Sequence, residues 1–172
     1  LRHYASLIGL PPNFTIYDTS DQEKAVKQAI ENAELRGPAT PSTILHAISN
    51  AKNKLITPEK YAKLVSNFDP HRMNVNILYK HYQKILKTNN AFDFDDLLMV
   101  PAQAFEQFPK ILDDLHSRFQ HILIDEYQDT NHVQYILARE LAKQSRNICV
   151  VGDPDQSIYA WRGADIGNIL DF

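Results

Sequence analysis

The sequence predicts a mostly α chain with a small α/β part, an all-helical lobe joined to a parallel βαβ unit. Three observations carry this. Four helix-period segments follow one another between residues 19 and 87, three of them opened by a capping residue or a proline. Two short apolar, partly β-branched runs, 121–124 and 147–151, read as buried strands. A helix-period segment from Asn131 to Lys143 separates them, and strand, helix, strand at this spacing implies parallel strands with a right-handed crossover.

In chain order, Leu1 to Leu10 reads as the end of a helix already in progress, stopped by Gly9 and Pro11-Pro12. With no initiating Met and no cap, the chain reads as a piece excised from a longer protein. Phe14 to Tyr17 is a short extended link. Thr19 or Ser20 can cap the first lobe helix (Ala25, Val26, Ala29, Ile30), and Ser20 with Glu23 would form a capping box. Gly37-Pro38 ends it. Thr40-Pro41 opens the second helix (Ile44, Leu45, Ile48) and Thr57-Pro58 the third (Tyr61, Leu64, Val65). His71 to Lys87 gives the fourth, with Val75, Leu78, Tyr82 and Leu86 in phase. Asn89-Asn90 reads as a junction. Asp93 can cap a helix through Leu97, Leu98 and Ala102; another spans Lys110 to Phe119, and a last one begins at Ala164.

At 172 residues the chain suits one ordinary domain or two small lobes. The single cysteine, Cys149, gives no disulfide framework and fits a reducing compartment. No long apolar segment or signal peptide is present, so a soluble cytoplasmic protein with no membrane partner is expected. The net charge of −3 hides an asymmetry. Residues 1–90 carry 12 Lys and Arg against 7 Asp and Glu; residues 91–172 carry 6 against 14. The basic half can face nucleic acid or can simply be a solvated helical surface.

The chemistry gathers at the strand ends. The first run stops at Asp125 and Glu126, and in open α/β sheets ligands sit beyond the carboxyl ends of strands. An acidic pair there suits a nucleotide site, the first carboxylate holding Mg²⁺ and the second orienting or deprotonating the attacking water. An acidic strand end that caps the following helix is the plainer alternative, and Asp129 reads as the cap of the helix near Asn131. Asp93, Asp95 and Asp96 read as a favourable acidic helix start rather than a metal cluster. The seven histidines show no metal-ligand spacing.

IDEYQDTN followed by VVGDPDQSIYAWRGAD resembles the second and third helicase motifs of the UvrD/PcrA/Rep family of superfamily 1 DNA helicases. AFDFDDLL, 91–98, is similar to that family's short acidic helix-start motif, and TILHAISNAKN, 43–53, to its helical insertion. The resemblance covers nearly the whole chain. It implies a P-loop NTPase type of fold divided into three parts. Residues 1–13 would end a preceding motor-domain helix, 14–90 would be the helical 1B insertion, and 91–172 part of the RecA-like 1A domain. The P-loop itself, GxxxxGK[ST], is absent: none of the five glycines is followed by Lys-Ser or Lys-Thr.

The resemblance implies an ATP- and Mg²⁺-dependent motor that moves 3′ to 5′ on single-stranded DNA and opens duplex at junctions, in repair or replication, alongside DNA-repair proteins. This polypeptide alone, lacking the phosphate cradle, is expected to be inactive. By resemblance Asp125 holds Mg²⁺ through water, Glu126 activates the hydrolytic water, and Gln156 senses the γ-phosphate and relays to DNA. Gln128 belongs to the motif without an assigned role. Trp161 and Tyr159 stack on unpaired bases, the alternative being core aromatics, and Arg162 is a further DNA contact. Lys52, Lys54, Lys60 and Lys63 form a basic stretch, of which Lys52 and Lys54 are candidate duplex contacts. Two rivals stay open: a helicase–nuclease subunit of the AddA/RecB type, and a non-catalytic DNA-binding module.

Overall fold

The computed structural model describes residues 1–35, 40–65, 69–159, 163–165 and 167–170. They form two compact units: residues 10–97 with Arg2, and residues 98–172 with Leu1 and 3–9.

The first unit is helical, held by a short parallel ribbon. Its elements are β1 (Thr15–Ile16), α1 (Thr19–Asn32), α2 (Pro41–Lys52), α3 (Pro58–Leu64), α4 (Pro70–Thr88) and β2 (Ala91–Phe92). Each helix is started by an oxygen that takes an orphan N–H of the first turn. Thr40, Thr57 and Asp69 accept from Thr43, Lys60 and Arg72, and a proline follows each cap. The α1 cap is Asp18, which accepts from the Asp21 N–H at 2.9 Å, rather than Thr19 or Ser20. The helix thus begins two residues earlier than a Ser20–Glu23 box requires. It ends at Asn32, and the expected stop at Gly37-Pro38 lies outside the described residues.

α4 is the longest helix and the axis of this unit, packing against α1, α2 and α3. Its buried stripe of Val75, Leu78, Tyr79, Tyr82 and Leu86 meets Val26 and Ala29 of α1 and Ile44 and Ile48 of α2. The chain enters and leaves at one place. β1 and β2 pair in parallel, Thr15 beside Ala91 and Ile16 beside Phe92. The Thr15 N–H donates to Asn90 O, and the Tyr17 N–H to Phe92 O, both at 2.9 Å. The link expected at Phe14–Tyr17 is therefore a paired strand. Asn90, at φ 49°, makes the left-handed turn into β2, a conformation asparagine tolerates.

The second unit holds most of α5 (Asp96–Gln107), α6 (Pro109–Arg118), β3 (Ile122–Ile124), α7 (His132–Ala142), β4 (Ile148–Val150) and the short α8 (Gly167–Leu170). β3 and β4 are parallel, pairing Ile122 with Ile148, Leu123 with Cys149 and Ile124 with Val150. α7 connects them, so the βαβ unit stands as expected. Ala104, Phe105 and Ile111 form its core, with Leu137 and Leu141 of α7 packed against them. Residues 1–9, expected as helix, form a 3₁₀ turn at Arg2–Tyr4 and further turns up to Gly9, where φ is +72°.

One expectation is corrected here. The two strands are not buried on both faces: Leu123 is 79 % exposed and Cys149 is exposed. Side chains alternate across a strand, so this pair lies on the face opposite Ile122 and Ile124, which are half-buried. The whole is mostly α with small parallel sheets. Among the described residues no helix is long and apolar enough to cross a membrane.

Candidate active site at the strand ends

β3 stops because the next residues turn the chain sharply. Asp125 accepts the Glu126 N–H on its own Oδ1 at 2.9 Å, and Glu126 sits in the left-handed region at φ 52°, ψ 41°. For a residue with a Cβ that conformation costs about 1–2 kcal/mol. The surroundings enforce it. The Val151 N–H donates to Ile124 O at 2.8 Å and the Tyr127 N–H to Val151 O at 2.9 Å, carrying the pairing past the ends of both strands. Tyr127 is 1 % exposed and anchors a 3₁₀ turn, Tyr127–Asp129. The Thr130 hydroxyl closes that turn by donating to Tyr127 O at 2.7 Å.

Both acidic side chains, Asp125 and Glu126, are exposed at the mouth of this turn. Behind them lies Gln128, wholly buried, whose amide reaches two ways. Its Nε2 donates to Glu126 Oε2 at 2.7 Å, and its Oε1 accepts the Asp153 N–H at 3.0 Å. Asp153 opens the loop after β4. Its Oδ1 takes the Asp155 N–H at 3.0 Å and its Oδ2 takes Gln156 Nε2 at 2.7 Å. The structure thus brings together three of the residues singled out by sequence, Asp125, Glu126 and Gln156, around two to which the sequence assigns no role, Gln128 and Asp153. A signal for Gln128 is present: an amide two residues after the carboxylate, in the same tight turn.

The following segments return to this turn. Asn131 caps α7 with a reciprocal box, its Oδ1 taking the Gln134 N–H and Gln134 Oε1 taking its own, both at 2.9 Å. Asp129, expected as that cap, lies inside the 3₁₀ turn instead, because α7 starts at His132 and leaves Asn131 in the capping position. Asp165 accepts the Gly167 N–H at 2.9 Å, at the start of α8. The buried Asn168 donates to Thr130 O at 2.9 Å, and the Asp165 N–H reaches the same oxygen at 3.0 Å. Tyr159 is 37 % exposed. Trp161 and Arg162 lie outside the described residues.

The basic stretch divides. Lys54, Lys60 and Lys63 are exposed. Lys52 is not, and its assignment as a DNA contact is corrected. It is fully buried, with Nζ 2.6 Å from Asp93 Oδ2 and 2.8 Å from Asp96 Oδ1. Its charge is spent on two interior carboxylates and cannot reach a phosphate. Asp93 also takes the Tyr82 hydroxyl at 2.9 Å and caps α5 through the Asp96 N–H at 2.8 Å. Burial pushes Asp96 up to about 6. Burial also acts upward on Asp93, but the Lys52 charge and hydrogen bonds outweigh it and hold that carboxyl below its ordinary value.

As chemistry, the strand ends present three carboxylates, an exposed amide and a buried amide in one hydrogen-bonded chain. Asp125 keeps Oδ2 without a hydrogen bond among the described residues, and hard oxygen of this kind suits a divalent cation such as Mg²⁺. Glu126 presents a carboxylate whose orientation is held from behind.

The chain as a whole is similar to known proteins. The model of the UvrD/REP helicase N-terminal domain matches residues 1–172. The chain is 47 % identical to the ATP-dependent DNA helicase PcrA of Staphylococcus epidermidis, with all of the chain aligned to 24 % of that protein. It is 46 % identical to the PcrA of Staphylococcus aureus, again with the whole chain aligned, to 23 % of that protein. The chain therefore spans about a quarter of the length of the curated relatives it matches. A family match over the full chain, beside relatives 46–47 % identical along its whole length, leads to one conclusion: this chain belongs to the UvrD/REP helicase N-terminal domain family.

Proposed function

We propose that the intact protein carrying this chain is an ATP-dependent DNA helicase that couples hydrolysis to 3′-to-5′ movement on single-stranded DNA and opens duplex at junctions. The observation that carries the reading is the linkage of Glu126 to the Asp153–Gln156 loop through Gln128. A hydrolytic carboxylate and a phosphate-facing amide must respond to one another if turnover is to follow DNA binding. The relatives, ATP-dependent DNA helicases, supply the reaction class.

In this reading Asp125 would hold Mg²⁺ through water, and the ion would supply positive charge against the phosphates of ATP. Glu126 orients the attacking water and receives its proton. Gln156 donates to the γ-phosphate by releasing Asp153. Tyr159, with Trp161 and Arg162, contacts unpaired DNA by stacking and charge, without reading sequence. Residues 14–90 act as the 1B insertion and 91–172 as part of the RecA-like 1A domain. Lys54, with Lys60 and Lys63, offers duplex phosphates an exposed positive edge. The protein works in the cytoplasm, in repair or replication. The 172-residue chain alone does not turn over ATP, because its sequence holds no GxxxxGK[ST].

The test is ATP hydrolysis by the intact protein, with and without oligo-dT, beside its Glu126→Gln variant. Turnover that rises with oligo-dT and collapses in the variant is expected. Turnover indifferent to both sinks the motor and leaves a DNA-binding module.

A further inference from the structure

Gln128 has a role that neither its motif nor its neighbours' chemistry assigns. A glutamine side chain with almost no exposure must satisfy both ends of its amide inside the protein. Here the two ends meet unlike partners. The Asp153 main chain offers a donor, so it must face Oε1, at 3.0 Å. That leaves Nε2 for Glu126 Oε2, at 2.7 Å. The amide cannot be reversed without setting N–H against N–H and oxygen against carboxylate. The backbone beneath adds to the constraint, since Glu126 is already fixed in a left-handed conformation.

We infer that Gln128 is a positioning residue for hydrolysis: its amide orients the Glu126 carboxylate and ties it to the β4 loop that carries Gln156. Oε2 is held by Gln128, which leaves Oε1 to meet the water. The tie continues through Asp153, whose backbone N–H binds Gln128 and whose Oδ2 binds Gln156. A displacement of Gln156 toward phosphate moves Asp153 and is felt at Glu126 through one buried side chain. The inference deepens the proposed helicase reading and rests on Glu126 being the hydrolytic base.

The experiment uses the intact protein with ATP and oligo-dT. Gln128→Leu keeps the volume and removes both hydrogen bonds. It is expected to lower kcat about 10–100-fold, the usual effect of losing an orienting partner, at unchanged KM for ATP. Gln128→Glu is the second variant: it keeps the shape and an acceptor for the Asp153 N–H but sets an oxygen where the donor to Glu126 stood. Its kcat is expected to fall at least as far as that of the leucine variant, again at unchanged KM for ATP.

Unchanged kcat and KM in Gln128→Leu overturn the inference. So does a loss in both variants that falls on kcat and KM alike and tracks a lowered unfolding midpoint, which marks a purely structural glutamine. If Gln128→Leu does not fold, the kcat and KM of Gln128→Glu decide alone. A Glu126→Gln variant that keeps full turnover overturns the helicase reading itself. An inactive Glu126→Gln beside a fully active Gln128→Leu overturns only the role of Gln128.

Discussion

Lys52 Nζ lies 2.6 Å from Asp93 Oδ2 in the interior of the helical unit, and both side chains are almost wholly shielded from water. Asp96 completes the group at 2.8 Å and Tyr82 donates to Asp93 from α4. The last turn of α2, the first turn of α5 and the middle of α4 are thereby fastened around one cation. Breaking such a group by removing one partner costs far more than the pair contributes when intact.

Lys52→Met is therefore expected to destabilise the helical unit by about 3–5 kcal/mol, since it strands two interior carboxylates. Lys54→Met, two residues away and exposed, should change stability by less than about 0.5 kcal/mol. Denaturant unfolding of the intact protein, followed by hydrogen exchange in α4, separates the two. Equal effects would remove the interior ion group from the account.

The same group gives stability a pH signature. Asp96 is raised to about 6 in the folded protein from an ordinary value of 3.8, so between these pH values the folded state binds more protons than the unfolded. Unfolding free energy contributed by Asp96 then falls as the pH rises from about 4 to 6. Asp93, held low, works in the opposite sense and loses its contribution only as the pH drops below its ordinary value. Asp96→Asn should flatten the slope between pH 4 and 6. A slope that survives the substitution assigns it to another group.

Glu126 holds a backbone conformation that favours glycine. Glu126→Gly relieves about 1–2 kcal/mol of left-handed strain but leaves the buried Gln128 amide without its partner, a cost of about 1–3 kcal/mol. Stability within about 1 kcal/mol of the unsubstituted protein, beside abolished turnover, is the outcome to look for in paired melting and ATPase measurements. A clear loss of stability would show that the carboxylate, not the backbone, holds the turn.

Asn131→Ala removes the α7 capping box and should cost about 1 kcal/mol, with Asn131→Asp retaining most of it. Thermal unfolding of the two variants checks the order.

For the proposed duplex contact, Lys54→Ala should weaken binding of a blunt duplex without sequence preference. The slope of log affinity against log salt should also shrink by about 1. An unchanged slope would leave Lys54 as a solvated surface charge.

Much of this is legible in the residues. Pro41 and Pro58, each behind a threonine, mark helix starts because the first-turn N–H groups have no partner to lose. The apolar runs around α7 give both strands and their direction, and the carboxylates at the end of β3 mark the candidate site. What escapes is tertiary. A sequence shows Lys52 among exposed lysines at similar spacing, and only the packing of α2 against α4 shows that this one points inward. Asp18 displaces Thr19 and Ser20 as a cap because three capping residues in a row leave the choice to the backbone. β1 reads as a link because two residues carry no periodicity; its partner lies some 76 positions away in the register Thr15 to Ala91. Gln128 stands in a recognisable motif without a task, since its meaning depends on the loop after β4 lying beside it.

The β1–β2 ribbon has a consequence for how such a lobe can be inherited. Thr15 and Ala91 are register partners, so the chain departs and comes back at points about 4.8 Å apart. Everything between them closes on its own core around α4. To the polypeptide on either side, the helical lobe is a detour with a narrow doorway. A folded segment whose two ends meet at that spacing, and which brings a buried cation to Asp93 and Asp96, could occupy the same doorway without re-registering the host. Recombination could therefore exchange, enlarge or trim the lobe as a cartridge, while the strand-end carboxylates, which come later in the chain, stay as they are.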